Sequence, residues 1–129
     1  MTNNNITNYY CYVLKSTNDN FINRSYTGIS NDPIKRLEKH NSGKGAKSTR
    51  IGSPYELYCI IGPFTKSEAS SFEWKMKHNK ISDKEFNKKI TNKILSSIND
   101  NIQYNIYAHN DMLESIKSTN ININKLADF

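Results

Sequence analysis

The chain of 129 residues is poor in cysteine, with only Cys11 and Cys59. Two isolated cysteines exclude a multi-disulfide scaffold, and no CxxC or Cys/His cluster is present that would hold a structural zinc. Each lies within an apolar, strand-like run, so both are expected to be reduced core residues. Apolar residues are scarce as well, at 36% of the chain, against about 45–50% in an average soluble domain. A single compact domain with a small core is expected. No apolar run approaches the roughly 18 residues that a membrane-spanning helix needs. The first eight residues have neither the basic start nor the apolar stretch of a secretory leader, so an intracellular protein without membrane contact is expected.

What the sequence does have is positive charge, +6 overall, which favours polyanionic partners such as nucleic acid. Residues 9–80 carry twelve Lys/Arg and six Asp/Glu, whereas residues 81–129 carry six of each. That asymmetry divides the chain into a basic first part and a neutral second part. The second part is rich in Asn, Ile, Ser and Lys and closes on Asn-Ile-Asn-Ile-Asn, a bias that matches AT-rich codons and is read as genome composition.

In the first part, Tyr9 to Leu14 is aromatic and β-branched enough for a strand, with Tyr10, Tyr12 and Leu14 on one face. Arg24 to Ile29 reads as a second strand pairing back in a hairpin. Asn31 or Asp32 with Pro33 then starts a helix on which Arg36 and His40, four residues apart, share a side. Residues 41–50 form a small-residue basic loop, in which Gly43 and Gly45 are too short a pattern for a phosphate loop. Tyr55 to Ile61 reads as a third strand, buried on both faces. Thr65 and Glu68 form a capping box opening a helix to about His78, with Ala69, Phe72 and Met76 inward and Glu73 beside that stripe. His78 suits the C-terminal end of this helix. Phe72, Trp74 and Met76 are read as core rather than as a base-stacking platform.

Ser82 to Glu85 reads as a second capping box, opening a helix with Phe86, Ile90, Ile94 and Ile98 at four-residue spacing. Beyond Asp100, Tyr104 to Ala108 is a candidate extended segment and Asp111 to Lys117 a candidate short helix. His109 has no evident partner.

Tyr10-Cys11-Tyr12, Tyr26-Thr27-Gly28, Arg36, His40-Asn41 and Glu73 in Phe72-Glu73-Trp74 resemble, in order and spacing, the signature of the GIY-YIG nucleases over about residues 9–80. The first triplet is Tyr-Cys-Tyr where the family has Gly-Ile-Tyr, and Thr27 replaces the usual isoleucine of the second. Residues 41–50 look like the loop of small stand-alone bacterial members. The stretch from Phe64 to Trp74 looks more like the nuclease subunit of the eukaryotic structure-specific endonuclease that trims flaps and junctions. Eukaryotic relatives have a cysteine-rich zinc domain after the nuclease, which the two cysteines present here cannot supply.

The resemblance implies an α+β fold, a three-stranded antiparallel sheet flanked by helices at 9–80. The remaining 81–129 would be a helical C-terminal extension. It also implies a DNA endonuclease dependent on Mg²⁺ or Mn²⁺, with flaps, forks or junctions as substrates in repair or recombination. Tyr12, Tyr26, Arg36, His40 and Glu73 are the implied catalytic set. Tyr12 would activate water, Tyr26 position water or phosphate, and Arg36 meet transition-state charge. His40 would hydrogen-bond Tyr12 or relay its proton, and Glu73 would hold the metal. Either Asn79 or Asn87 would match an asparagine that assists the phosphate in some members. Lys35, Lys39, Lys44, Lys47 and Arg50 are expected to hold backbone phosphates. The alternatives are a sequence-preferring homing or restriction-type nuclease and a catalytically weak DNA-binding scaffold. Residues 81–129 are also a candidate protein-partner segment if Ile90, Ile94 and Ile98 are exposed.

Overall fold

The first strand alternates as its sequence dictates, and that alternation sets the two faces of the molecule. In the computed structural model, which describes residues 6–116, 118 and 120–129, β1 (Tyr9–Ser16) forms a hairpin with β2 (Ser25–Ser30) and pairs on its other side with β3 (Tyr55–Phe64). Tyr12 and Leu14 face one way, together with Ile60, Tyr26 and Leu37. Cys11 and Val13 face the other, into the main core, and both cysteines are free and buried. Tyr58 to Ile61 are all buried, as expected of a strand covered on both sides.

The helices follow their caps. Helix α1 (Pro33–Asn41) starts at Asp32, whose side chain accepts from the Lys35 amide at 3.1 Å. Helix α2 (Lys66–His78) has the reciprocal Thr65/Glu68 capping box, with bonds of 3.1 and 2.9 Å. Helix α3 (Phe86–Ser97) differs from expectation: Glu85 is its N-cap without a side-chain bond, and Asp83 instead accepts from the Glu85 amide at 3.0 Å. The Ser82–Glu85 box does not form. Both α2 and α3 cover the Cys11/Val13 face, where Phe72, Met76, Ile90 and Ile94 share one core.

The sheet has five strands rather than three, and it is mixed rather than wholly antiparallel. Its order is β2-β1-β3-β4-β5, with β4 (Tyr104–Ala108) antiparallel to β3 and β5 (Ile121–Lys125) parallel to β4. The connection between β4 and β5 contains α4 (Asn110–Leu113) and is of the length a parallel crossover requires. The segment after residue 80 is therefore not mostly helical. The Asn-Ile-Asn-Ile-Asn stretch is a strand: Ile121 and Ile123 pack on the core, and Asn122 bonds Asn105 across the ladder at 3.2 Å. The helix expected over Asp111–Lys117 is shorter and begins at Asn110; Lys117 lies outside the described residues. Ile90 and Ile94 are buried and Ile98 packs against the same core, so that stripe is not an exposed docking face. No helix among the described residues is long and apolar enough to cross a membrane.

Candidate active site

Tyr12 is 1% exposed and stands directly opposite Gly28 on the edge strand β2. A Cβ at Gly28 would lie 2.7 Å from the Tyr12 hydroxyl and 2.9 Å from the Tyr26 ring, so the missing side chain is the space the phenol occupies. We expect Gly28→Ala to cost about 1–3 kcal/mol in denaturant unfolding, because both neighbours are stiff rings that must move. The same variant should lose more activity than stability, because the displaced phenol leaves its partner.

That partner is His40, at the end of α1 and fully buried. The Tyr12 hydroxyl and His40 Nε2 are 2.8 Å apart. The Tyr12, Tyr26 and His40 rings form one cluster, with the Tyr26 and His40 centroids 4.8 Å apart. On the other side of the imidazole, Nδ1 is 3.0 Å from Thr49 Oγ1, and the Thr49 hydroxyl donates to Ala46 O at 2.6 Å. With its hydrogen committed there, Thr49 accepts from Nδ1–H, which leaves Nε2 to accept from Tyr12. The tautomer is thus assigned from its partners. The Ala46 N–H also points at Nδ1, at 3.3 Å, and would take that nitrogen's lone pair in the other tautomer; it is the longest contact of the set, against 3.0 Å to Thr49.

The loop between α1 and β3 is built around this histidine. A Cβ at Gly45 would approach His40 Cα to 2.8 Å, so glycine lets the chain pass over the ring. Arg24 holds the loop from the hairpin, donating to Ser48 O at 3.0 Å and to the Tyr55 hydroxyl at 3.1 Å. Asn41 imitates a neighbouring strand: its side chain accepts from the Tyr55 amide at 2.7 Å and donates to the Tyr55 carbonyl at 2.9 Å. Thr49, Gly45 and Arg24 were not marked by the sequence pattern. The Gly-Lys-Gly spacing was the one local signal, and its purpose is close approach to an imidazole.

Electrostatics separate the two hydrogen-bonded partners. Burial raises the Tyr12 phenol well above its ordinary range, with the Tyr26 phenol adding to the rise and the Arg36 guanidinium beside it opposing. Burial, followed by the Arg36 charge, lowers His40 below its usual value. At neutral pH the pair is therefore a neutral phenol donating to a neutral imidazole.

Arg36 is half-buried and lines a depression of about 210 Å³ with Lys35, Lys39 and Asp32. Lys44, Lys47 and Arg50 are exposed on the loop. Glu73 comes from α2, its side chain 24% exposed and its Oε2 3.4 Å from Lys77 Nζ. Lys77 in turn lies over the Tyr26 ring, 5.7 Å from its centroid. The Glu73 charge is felt at Tyr12, where it opposes phenolate formation. The five expected residues thus meet at the β2 edge of the sheet.

Among the described residues, no three His, Cys, Asp or Glu side chains converge into a metal cage. A lone, partly exposed carboxylate still fits Mg²⁺, which keeps several waters and takes one or two carboxylates plus phosphate oxygens.

Other expected residues have different tasks. Trp74 is not core: it is 60% exposed and stacks on His78 with centroids 4.0 Å apart. His78 is at the end of α2 as expected, with Nδ1 2.8 Å from Trp74 O. His109 is the N-cap of α4, accepting from the Asp111 amide at 3.3 Å and stacking on Tyr58. Asn79 bonds Ser96 and Ser97, and Asn87 bonds Ser115, so both join helices to their neighbours.

A buried phenol–imidazole pair beside a guanidinium, with a carboxylate at the same sheet edge, has the chemical groups that hydrolytic phosphoryl transfer can use. Residues 8–89 match the model of the GIY-YIG catalytic domain, and the chain belongs to that family. The chain is 47% identical over 70 residues to a UPF0213 protein of Bacillus pumilus, covering 54% of this chain and 67% of that protein. It is 42% identical over 69 residues to a structure-specific endonuclease subunit SLX1 homolog of Brugia malayi, covering 50% of this chain and 21% of that protein. A Cryptosporidium parvum protein of the same description is 40% identical over 80 residues, 60% of this chain and 19% of its own length. The chain therefore spans about a fifth of these SLX1 relatives and two thirds of the UPF0213 protein.

Proposed function

We propose that the protein is a divalent-metal-dependent DNA endonuclease that hydrolyses phosphodiester bonds in branched DNA, at flaps, forks or four-way junctions, in repair or recombination. The observation that carries this reading is the buried Tyr12–His40 hydrogen bond, with Arg36, Tyr26 and Glu73 around it. The branched substrate class is supported by relatives described as structure-specific endonuclease subunits.

The chemistry follows from the proton assignment. A water oxygen attacks phosphorus while its proton passes to the Tyr12 oxygen and the Tyr12 proton passes to His40 Nε2; the P–O bond to the departing deoxyribose oxygen breaks, and that oxygen takes a proton from solvent to leave as a hydroxyl. One proton is thereby carried from the attacking water to a buried base without a free phenolate forming. Thr49 holds Nδ1–H, so Nε2 keeps its lone pair toward Tyr12. Arg36 presents a planar fork of donors to the non-bridging phosphate oxygens, where charge grows. Tyr26 positions the water or the phosphate. Glu73 would hold the Mg²⁺ or Mn²⁺, which supplies Lewis acidity toward the scissile phosphate when bound. Lys35, Lys39, Lys44, Lys47 and Arg50 hold flanking phosphates and read no bases.

A panel of end-labelled duplex, flap, fork and four-way junction DNA tests the proposal. Incision close to the branch with Mg²⁺ or Mn²⁺, stopped by a chelator and far weaker on linear duplex, is expected. Branched DNA bound tightly but left uncut with either metal would instead favour a DNA-binding scaffold.

A further inference from the structure

The neutral charge balance of residues 81–129 hides a local concentration of cations. Lys89 and Lys93, one turn apart on α3, face Lys77 in the last turn of α2 and Lys80 just beyond it across a depression of about 330 Å³ that Asp83 also lines. A second depression, of about 290 Å³, runs along the open edge of β2 and is lined by Ser25, Tyr26, Thr27, Ser48, Lys77 and Lys93. The two share Lys77 and Lys93, so they form one strip from the Tyr26 ring to Lys80.

Little in the fold neutralises this strip. Lys77 pairs with Glu73, but among the described residues Lys80, Lys89 and Lys93 have no carboxylate within ion-pair distance. Asp83 is turned to the Glu85 amide. Lys89 and Lys93 are half-buried rather than free in solvent, and burial together with the Lys89 charge lowers Lys93 below the ordinary lysine range. Holding like charges together in this way costs stability unless an anion is shared between them.

Resting on the nuclease reading above, we infer that this α2–α3 lysine strip is a second phosphate-backbone surface, which grips a DNA arm leaving the site on the side opposite the loop of Lys44, Lys47 and Arg50. Ser48, from that loop, and Lys93, from α3, line the same depression beside Tyr26. The scissile phosphate is thereby flanked by basic surface on both sides, as suits a substrate with two arms. Beyond Tyr26, which belongs to the candidate site, the charge of the strip comes from lysines, which meet phosphates rather than base edges, so it contributes affinity and orientation without sequence preference.

The test is binding of a fork to the full chain without metal, by fluorescence anisotropy across a salt series. The triple variant Lys80→Ala, Lys89→Ala, Lys93→Ala should weaken binding at least about tenfold and lower the salt slope by roughly 2–3, given about 0.9 per duplex phosphate contact. Shortening one duplex arm should weaken the wild type similarly and affect the variant little. A control at Lys66, Lys88 and Lys125, which line neither depression, removes equal charge and should leave the slope unchanged. Lys80→Gln with Lys89→Gln serves if loss of the half-buried Lys93 unfolds the triple variant. A folded variant with wild-type slope and affinity, while wild type binds and cuts forks, overturns this inference alone. Equal losses in the control triple also overturn it. Wild type that neither binds nor cuts branched DNA overturns the nuclease reading as well.

Discussion

Tyr12→Phe is expected to lower the single-turnover cleavage rate by about 10²–10⁴, the range a positioned proton acceptor contributes, with little change in DNA affinity. Phenylalanine keeps the ring packed against Tyr26 and His40 and removes only the oxygen that joins water to Nε2. The buried imidazole is left without that partner, which costs about 1–3 kcal/mol of stability, far less than would be needed to mimic the rate loss by unfolding. The pH profile distinguishes the relay from a lone phenolate. His40 must be neutral to accept, and its pKa is depressed, so activity should fall only below about pH 6.5, the ordinary histidine value, and stay level from 7 to 9. A phenolate with the raised Tyr12 pKa would instead give about a tenfold rise per unit across that interval. A Tyr12→Phe rate within threefold of wild type would remove Tyr12 from the mechanism.

Glu73→Gln separates binding from chemistry. The amide preserves size and removes the charge, so the anchor for a divalent cation is lost while α2 keeps its packing. Metal ions contribute several kcal/mol of charge stabilisation, and each 1.36 kcal/mol is tenfold in rate. A loss of about 10²–10³ or more is therefore expected, partly recovered at high Mn²⁺. Without metal, DNA affinity should be unchanged or tighter, because Lys77 is released from its 3.4 Å ion pair. Unchanged cleavage would show that Glu73 does not hold the metal.

Much of the site was legible because it depends on short-range regularities. A spacing of four on a helix placed Arg36 and His40 together, and strand alternation put Tyr10, Tyr12 and Leu14 on one face. The Thr65/Glu68 box was readable because both of its bonds are local. Ser82 to Glu85 has the same residue types, but Asp83 satisfied the Glu85 amide first and the helix began later. The strict alternation of Asn-Ile-Asn-Ile-Asn was visible, yet a strand of that length is stable only where β4 offers an edge, and pairing partners that far apart leave no local mark. Trp74 adjoins the inner stripe of α2 in sequence but points outward on the helix, where its apolar surface rests on His78 instead of the core. Thr49 acts through an imidazole nine residues away, a relation set by loop conformation rather than periodicity.

An edge strand ordinarily invites other chains, since its free N–H and C=O groups are a template for added strands. In this protein Tyr26 lies on that edge strand, so under the proposed function the edge of β2 stays open to DNA and closed to other polypeptides. Lys77 and Lys93 overhang it beside Tyr26. A strand docking there would have to bury two ammonium groups, of which only Lys77 has a carboxylate partner, in Glu73, whereas a polyphosphate backbone brings the countercharge with it. The same cations that favour the substrate thus discourage self-association, and protein stripped of them should be more prone to aggregate.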